Sequence, residues 1–167
     1  MNITSKLPRI TPMLWFDTQA EDAVDFYLSV FKNSKKGRVS HYANDGQETH
    51  HMPDGSVMVV EFELEGQSFQ ALNAGPIFRF NEAISFVIYC DTQDEIDYYW
   101  NKLKEGGDEK AQVCGWLKDR FGLSWQVVPS MLPEMQMTDS RKASNVMKEV
   151  MKMKKLDIAT LKAAFEK

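Results

Sequence analysis

A chain of 167 residues with 43% hydrophobic and 26% charged side chains has the composition of a folded globular protein, with room for one domain or two half-domains sharing a core. Its net charge of −4, with lysines scattered until the C-terminus, offers no extended basic face to a phosphate backbone, which excludes nucleic acid as the expected partner. No apolar run approaches the roughly 20 residues that span a bilayer, residues 1–8 lack the apolar core of a signal peptide, and Cys90 and Cys114 form no spaced cluster, so a cytoplasmic protein without membrane contact, disulfide framework or zinc knuckle is expected.

The first apolar run, residues 10–16, reads as a strand. Asp17-Thr18-Gln19-Ala20-Glu21 follows, with Thr18 and Glu21 spaced as a capping box. Ala20, Ala23, Val24, Tyr27, Leu28 and Phe31 then recur at three and four, the stripe of a helix that lysines and Gly37 would end. A strand over 38–43 leads into a polar loop, 44–56, rich in turn residues such as Asp45-Gly46 and Pro53-Asp54-Gly55. In the strand 57–64 the apolar face is Met58, Val60, Phe62 and Leu64, which puts Glu61 and Glu63 outward as solvated charges. Gly66 opens a turn into a last strand, 69–73, and residues 75–81 form a linker.

The same order then returns. Residues 84–90 are an apolar run, Thr92 and Glu95 repeat the capping box, and Ile96, Tyr99, Trp100 and Leu103 form a stripe that Gly106 and Gly107 stop. Two shorter strands, 112–116 and 117–121, precede a final one at 125–129. Asp-Thr-Gln recurs at 17–19 and 91–93, and Gly-x-Ser-aromatic-Gln at 66–70 and 122–126; the loop 44–56 is then an insertion in the first half. The expected fold is α+β: two tandem βαβββ modules, about 8–75 and 82–130, forming a curved mixed sheet within residues 1–133. A lone unit of this kind leaves one sheet face uncovered, so the two should pair around a common space, the natural ligand site. Residues 134–167 form a helical extension, with Val146, Met147, Val150 and Met151 as the stripe of 144–153 and Asp157 capping 158–165. Its adaptable methionines suit it to cover a sheet face of its own or a second subunit.

The stripe ending Asp25-Phe26-Tyr27 and the closing run Asp119-Arg120-Phe121-Gly122-x-x-Trp125-Gln126 give this duplicated chain a resemblance to the glyoxalase/bleomycin-resistance/extradiol-dioxygenase, or vicinal-oxygen-chelate, superfamily. Residues 10–17, 71–76, 114–129 and the tail 146–161 are similar to its PhnB-like branch, whose members often bear the label 3-demethylubiquinone-9 3-methyltransferase. The resemblance implies a homodimer and a small-molecule cavity. In the superfamily's metalloenzymes four inward strand positions supply His or Glu, and alignment by stripes and glycine turns puts these at Pro12 or Thr11, Gln70, Ser85 and Gln126. Neutral amides, a hydroxyl and a proline do not make a site for a zinc-, nickel- or iron-type ion, so neither metal nor cofactor is expected. The methyltransferase label finds no glycine-rich turn between a strand and a helix, since Gly106-Gly107 ends a helix instead.

The expected ligand-binding set is Gln70, Gln126 and Ser85, with Trp15, Asn73, Phe80, Arg79, Cys114 and Trp116 around them. Gln70 and Gln126 either orient a polar ligand in an aromatic pocket or bond to each other and to neighbouring backbone. Trp15, Phe78, Phe80, Trp116 and Trp125 form a large aromatic group, most of it core. Asn73, Arg79 and Phe80 lie in or near the linker, where Arg79 is placed to meet an anionic ligand at a cavity mouth. Cys114 is either an inert thiol or a reactive one, the inert state being the default. His50 and His51 read as a solvated loop pair, and the direction of His41 is open. The leading expectation is a binding protein or enzyme for an unidentified small molecule; a metal-dependent lyase or dioxygenase using His41 and the loop histidines, and a methyltransferase, are the alternatives.

Overall fold

The computed structural model describes residues 7–137 and 139–167. Contacts divide the chain into two units, Met1–Arg79 and Phe80–Lys167.

The first unit runs β1 (Met13–Phe16), α1 (Ala20–Val30), β2 (Ser34–His41), a single helical turn α2 (Gln47–His50), β3 (Val57–Leu64) and β4 (Gln67–Asn73). Its sheet has the order β1-β4-β3-β2, with β1 parallel to β4 and the other pairs antiparallel. Strand alternation buries Leu14, Phe16, Val60, Phe62, Leu64, Phe69 and Ala71 with the α1 stripe Ala20, Ala23, Val24 and Tyr27. The Tyr27 ring stacks on Phe62, which stacks on Phe69.

Two local expectations fail here for a physical reason. The Thr18–Glu21 capping box does not form: the N-cap is Gln19, whose side chain makes no cap bond, and the Ala20 N–H instead donates to Asn73 Oδ1 at 2.8 Å. The helix thus begins one residue later than the box requires, and a residue distant in sequence satisfies one of its orphan donors. Gly37 does not stop the helix either, because α1 ends at Val30 and β2 runs from Ser34 through the glycine. A Cβ at Gly37 would lie 2.9 Å from Glu61 Cβ, so the glycine lets β2 and β3 close up where their register shifts.

The second unit runs β5 (Phe86–Cys90), α3 (Gln93–Leu103), a 3-10 turn (Glu109–Ala111), β6 (Trp116–Lys118), β7 (Ser124–Pro129), α4 (Leu132–Gln136), α5 (Ser140–Val150) and α6 (Ile158–Phe165). The sheet order is β5-β7-β6, with β5 parallel and β6 antiparallel to β7. The Thr92–Glu95 capping box forms in full. The module is shorter by a strand than expected: residues 112–116 reduce to one bridge, Val113–Trp116, because Cys114 and Gly115 adopt left-handed φ values of 53° and 86° and reverse the chain. The strand expected over 117–121 ends at Lys118, where Asp119 starts a turn.

The C-terminal helices belong to this unit. Val128 of β7 shares a core with Leu132, Met135, Val146, Val150, Leu156 and Leu161. The tail is tied down by polar bonds as well: Cys114 N–H donates to Met153 O and Gly115 N–H to Lys154 O, both at 2.8 Å. The Gln93 amide both donates to Leu156 O and accepts from the Ile158 N–H. Among the described residues no helix is long and apolar enough to cross a membrane.

Candidate functional site

β7 is the strand that organises the second unit's cleft. Its alternation sends Trp125 and Val127 to the side shared with Phe86 and Ile88, and Ser124, Gln126 and Val128 to the other. In register, Gln126 sits beside Trp116 and Ser124 beside Lys118 of β6. The C-terminal helices cross this second face through Val128 and leave a cleft of about 700 Å³, lined among others by Trp116, Lys118, Ser124, Gln126, Val150 and Met151.

The Gln126 side-chain N–H₂ donates to Ser85 Oγ at 2.9 Å, which fixes the amide at the floor of the cleft. Cys114 stands on the wall, half-buried, with its Sγ 3.8 Å from Met151 Sδ. Four residues singled out from sequence, Gln126, Ser85, Trp116 and Cys114, are therefore brought to one place. The other thiol, Cys90, is 1% exposed and pushed up to about 12 by burial, with Glu95 and Asp91 adding to the shift, which leaves it protonated and unreactive.

The side chain that shapes this floor went unassigned in the sequence. Asp119 is 2% exposed, yet its carboxylate is well served. Oδ1 accepts from the Phe121 and Leu123 N–H groups at 2.8 and 3.1 Å, and Oδ2 from the Trp125 indole at 2.8 Å. The closing run Asp119-Arg120-Phe121-Gly122-x-x-Trp125 is thus a knot that fixes where β7 begins, and so where Ser124 and Gln126 point. Its sequence signal was the Asp and Trp of that run; their bond is visible only once the turn is folded.

In the first unit Gln70 lies in register with Glu61 and Met13. A cleft of about 380 Å³ is lined by Arg38, Val39, Ser40, Val59, Glu61 and Gln70. Glu61 is accordingly no outward solvated charge. It shares the Gln70 face, its side chain is 16% exposed, and it takes a bidentate Arg38 guanidinium at 2.6 and 2.8 Å. Hydrogen bonding from Arg38 holds its carboxyl below the usual range. Glu63 pairs with Lys35 on the same face.

Trp15 and Asn73 commit their polar atoms to the scaffold. Trp15 donates its indole N–H to Gly75 O and meets Phe78 edge-on. Asn73, 5% exposed, accepts from Ala20 N–H and donates to Val57 O. Arg79 is exposed at the end of the first unit and Phe80 half-buried at the start of the second. His41 and His51 are exposed. His50 is not the solvated residue expected: half-buried, it packs on the Tyr42 ring and its Nδ1 accepts the Met52 N–H. Among the described residues no group of three or more His, Cys, Asp and Glu is placed to hold a metal ion. The side chains of Pro12, Thr11, Gln70, Ser85 and Gln126 are a ring without a donor, hydroxyls and neutral amides, a chemistry that does not fit a divalent transition metal.

A family model described as 3-demethylubiquinone-9 3-methyltransferase matches residues 8–128. A solved PhnB protein of Bacillus cereus, carrying that same family description, is 31% identical over 73% of this chain and 99% of its own, with a TM-score of 0.63. A Staphylococcus aureus protein is 26% identical over 75% of this chain and 99% of its own, with a TM-score of 0.33. One from Pseudomonas aeruginosa is 19% identical over 72% and 96%, and its TM-score of 0.53 marks a likeness of fold. No curated protein matches.

Proposed function

This chain belongs to the 3-demethylubiquinone-9 3-methyltransferase family, the PhnB-like branch of the glyoxalase superfamily, and from that premise we propose that it binds a small molecule in the Gln126 cleft without a resident metal. The observation that carries the proposal is the Gln126–Ser85 hydrogen bond at the floor of a cleft with an indole beside it and aliphatic walls. That bond takes one donor of the amide and leaves Oε1 to accept, which suits a ligand with a hydroxyl or N–H on an apolar body. Whether the ligand is transformed depends on its chemistry.

The family's methyltransferase name calls for S-adenosylmethionine, and the residues present do not fit it. The turns from β1 to α1 and from β5 to α3 are built from Asp17-Thr18-Gln19 and Asp91-Thr92, with no glycine to let a backbone approach a nucleoside cofactor. The test uses protein purified without denaturation and analysed by native mass spectrometry. A small organic adduct on the wild-type chain, lost in Gln126→Leu, is the expected result. An adduct that survives this replacement, stoichiometric transition metal, or calorimetric binding of S-adenosylmethionine would overturn the proposal.

The proposal includes a cytoplasmic homodimer. Ile84, Val87 and Tyr89, on and just before edge strand β5, are 70%, 41% and 60% exposed, a run of apolar surface that a second copy would cover. Light scattering should give the mass of two chains, and Val87→Glu should reduce it to one. A wild-type mass of one chain at micromolar concentration would exclude the dimer.

A further inference from the structure

Ser124 is 1% exposed, and its Oγ has no hydrogen-bond partner. An unmade hydrogen bond at a buried hydroxyl destabilises the fold, where an alanine would not. Strand alternation puts this hydroxyl on the face of Gln126 and Val128, and all three line the same cleft. Its neighbour across the sheet is Lys118. The Lys118 ammonium meets Glu82 at 2.5 Å, and the two side chains differ in setting: Lys118 is 22% exposed, Glu82 63%. The cation therefore belongs to the cleft wall, and its counter-ion is a largely exposed carboxylate of the same cleft that an incoming anion displaces at little cost. Lys110 lines the cleft too, so its charged residues are two lysines and one glutamate.

From this we infer that the cleft receives a small, largely apolar monoanion, an organic acid. Its anionic oxygens are taken by the Lys118 ammonium and the Ser124 hydroxyl, and its body lies against Trp116, Val128, Val150 and Met151. The inference rests on the Gln126 cleft being the binding site and adds the charge of what binds. A charge-assisted bond to a buried hydroxyl uses a group that the protein's own side chains and backbone leave without a partner.

Two fluorescent probes with one apolar frame separate these ideas: 1-anilinonaphthalene-8-sulfonate, an anion, and N-phenyl-1-naphthylamine, its neutral counterpart. The anion should saturate one site per chain and bind at least about tenfold more tightly than the neutral probe. Lys118→Met and Ser124→Ala should each weaken the anion roughly tenfold, leave the neutral probe unchanged, and in the case of Ser124→Ala leave the melting temperature equal or higher. Equal affinity for the two probes, with the anion unaffected by Lys118→Met, overturns the charge assignment and leaves the cleft standing. A lower melting temperature in Ser124→Ala with unchanged anion affinity removes Ser124 from the site. Met151→Trp crowds the cleft from an exposed position, and Gln126→Leu alters its floor. If both probes bind both variants like wild type, the cleft is not where they bind, and the underlying reading falls with the inference.

Discussion

Asp119→Ala should cost on the order of 3–5 kcal/mol of unfolding free energy, since three buried donors lose a charged acceptor at about 1–3 kcal/mol each. The carboxylate is 2% exposed and accepts three hydrogen bonds, so alanine strands the Phe121 and Leu123 amides and the Trp125 indole together. Asp119→Asn separates the contributions. Its carbonyl oxygen keeps the two backbone donors, while its amide turns a donor toward the indole N–H, so a loss of about half that of alanine is expected. Trp125→Phe removes that opposing donor. The double variant Asp119→Asn/Trp125→Phe should then lose less than the two single losses added, by about 0.5–3 kcal/mol. Urea unfolding measures all four. An Asp119→Ala midpoint within error of wild type would mean that the knot does not hold the start of β7, and the positioning of Ser124 and Gln126 would need another source.

That knot marks the line between what the residues announce and what they hide. The Thr92–Glu95 box, the α1 stripe, the apolar face of β3 and the Asp157 cap of α6 depend on neighbours within four positions, and each forms as its spacing implies. Thr18–Glu21 has the same spacing and fails: the helix starts from Gln19 instead, with its Ala20 amide held by Asn73 from 53 residues away. No local pattern carries that information. The strand expected over 112–116 fails at Cys114, where a non-glycine residue holds a left-handed φ of 53° that its sequence neighbours do not announce. At the cleft, Gln126 and Ser85 were legible through the duplicated order of the chain, and Trp116 and Cys114 only by residue type, as an aromatic and a thiol. Ser124 stood in the repeated Gly-x-Ser-aromatic-Gln motif, yet only its burial without a hydrogen-bond partner on the cleft face marks it as a contact. Glu61 was misread because polarity suggested solvent, whereas pairing with Arg38 lets a carboxylate sit on a half-covered face.

Gly106 and Gly107 look alike in the sequence, as a pair that stops a helix, and the structure gives them unequal tasks. A Cβ on Gly107 would lie 1.9 Å from the carbonyl oxygen of Lys118, a backbone atom in a paired strand that cannot swing aside. Gly107→Ala should therefore cost about 3 kcal/mol or more, at or above the top of the usual overpacking range, because either the segment after α3 or β6 must move. Gly106 has a left-handed φ of +74° and would place its Cβ 3.3 Å from Arg120 Cβ, a side-chain contact that can give. Gly106→Ala should cost only about 1–2 kcal/mol, mostly from backbone strain. The consequence reaches the cleft, since moving β6 moves Lys118 relative to Ser124. Gly107→Ala should accordingly weaken the anionic probe more than the neutral one under conditions where the variant is still folded, and Gly106→Ala should leave their ratio alone. Paired urea and fluorescence titrations read both effects. A larger stability loss in Gly106→Ala than in Gly107→Ala would show that the close approach to Lys118 is not what requires a glycine at 107, and that β6 is positioned from elsewhere.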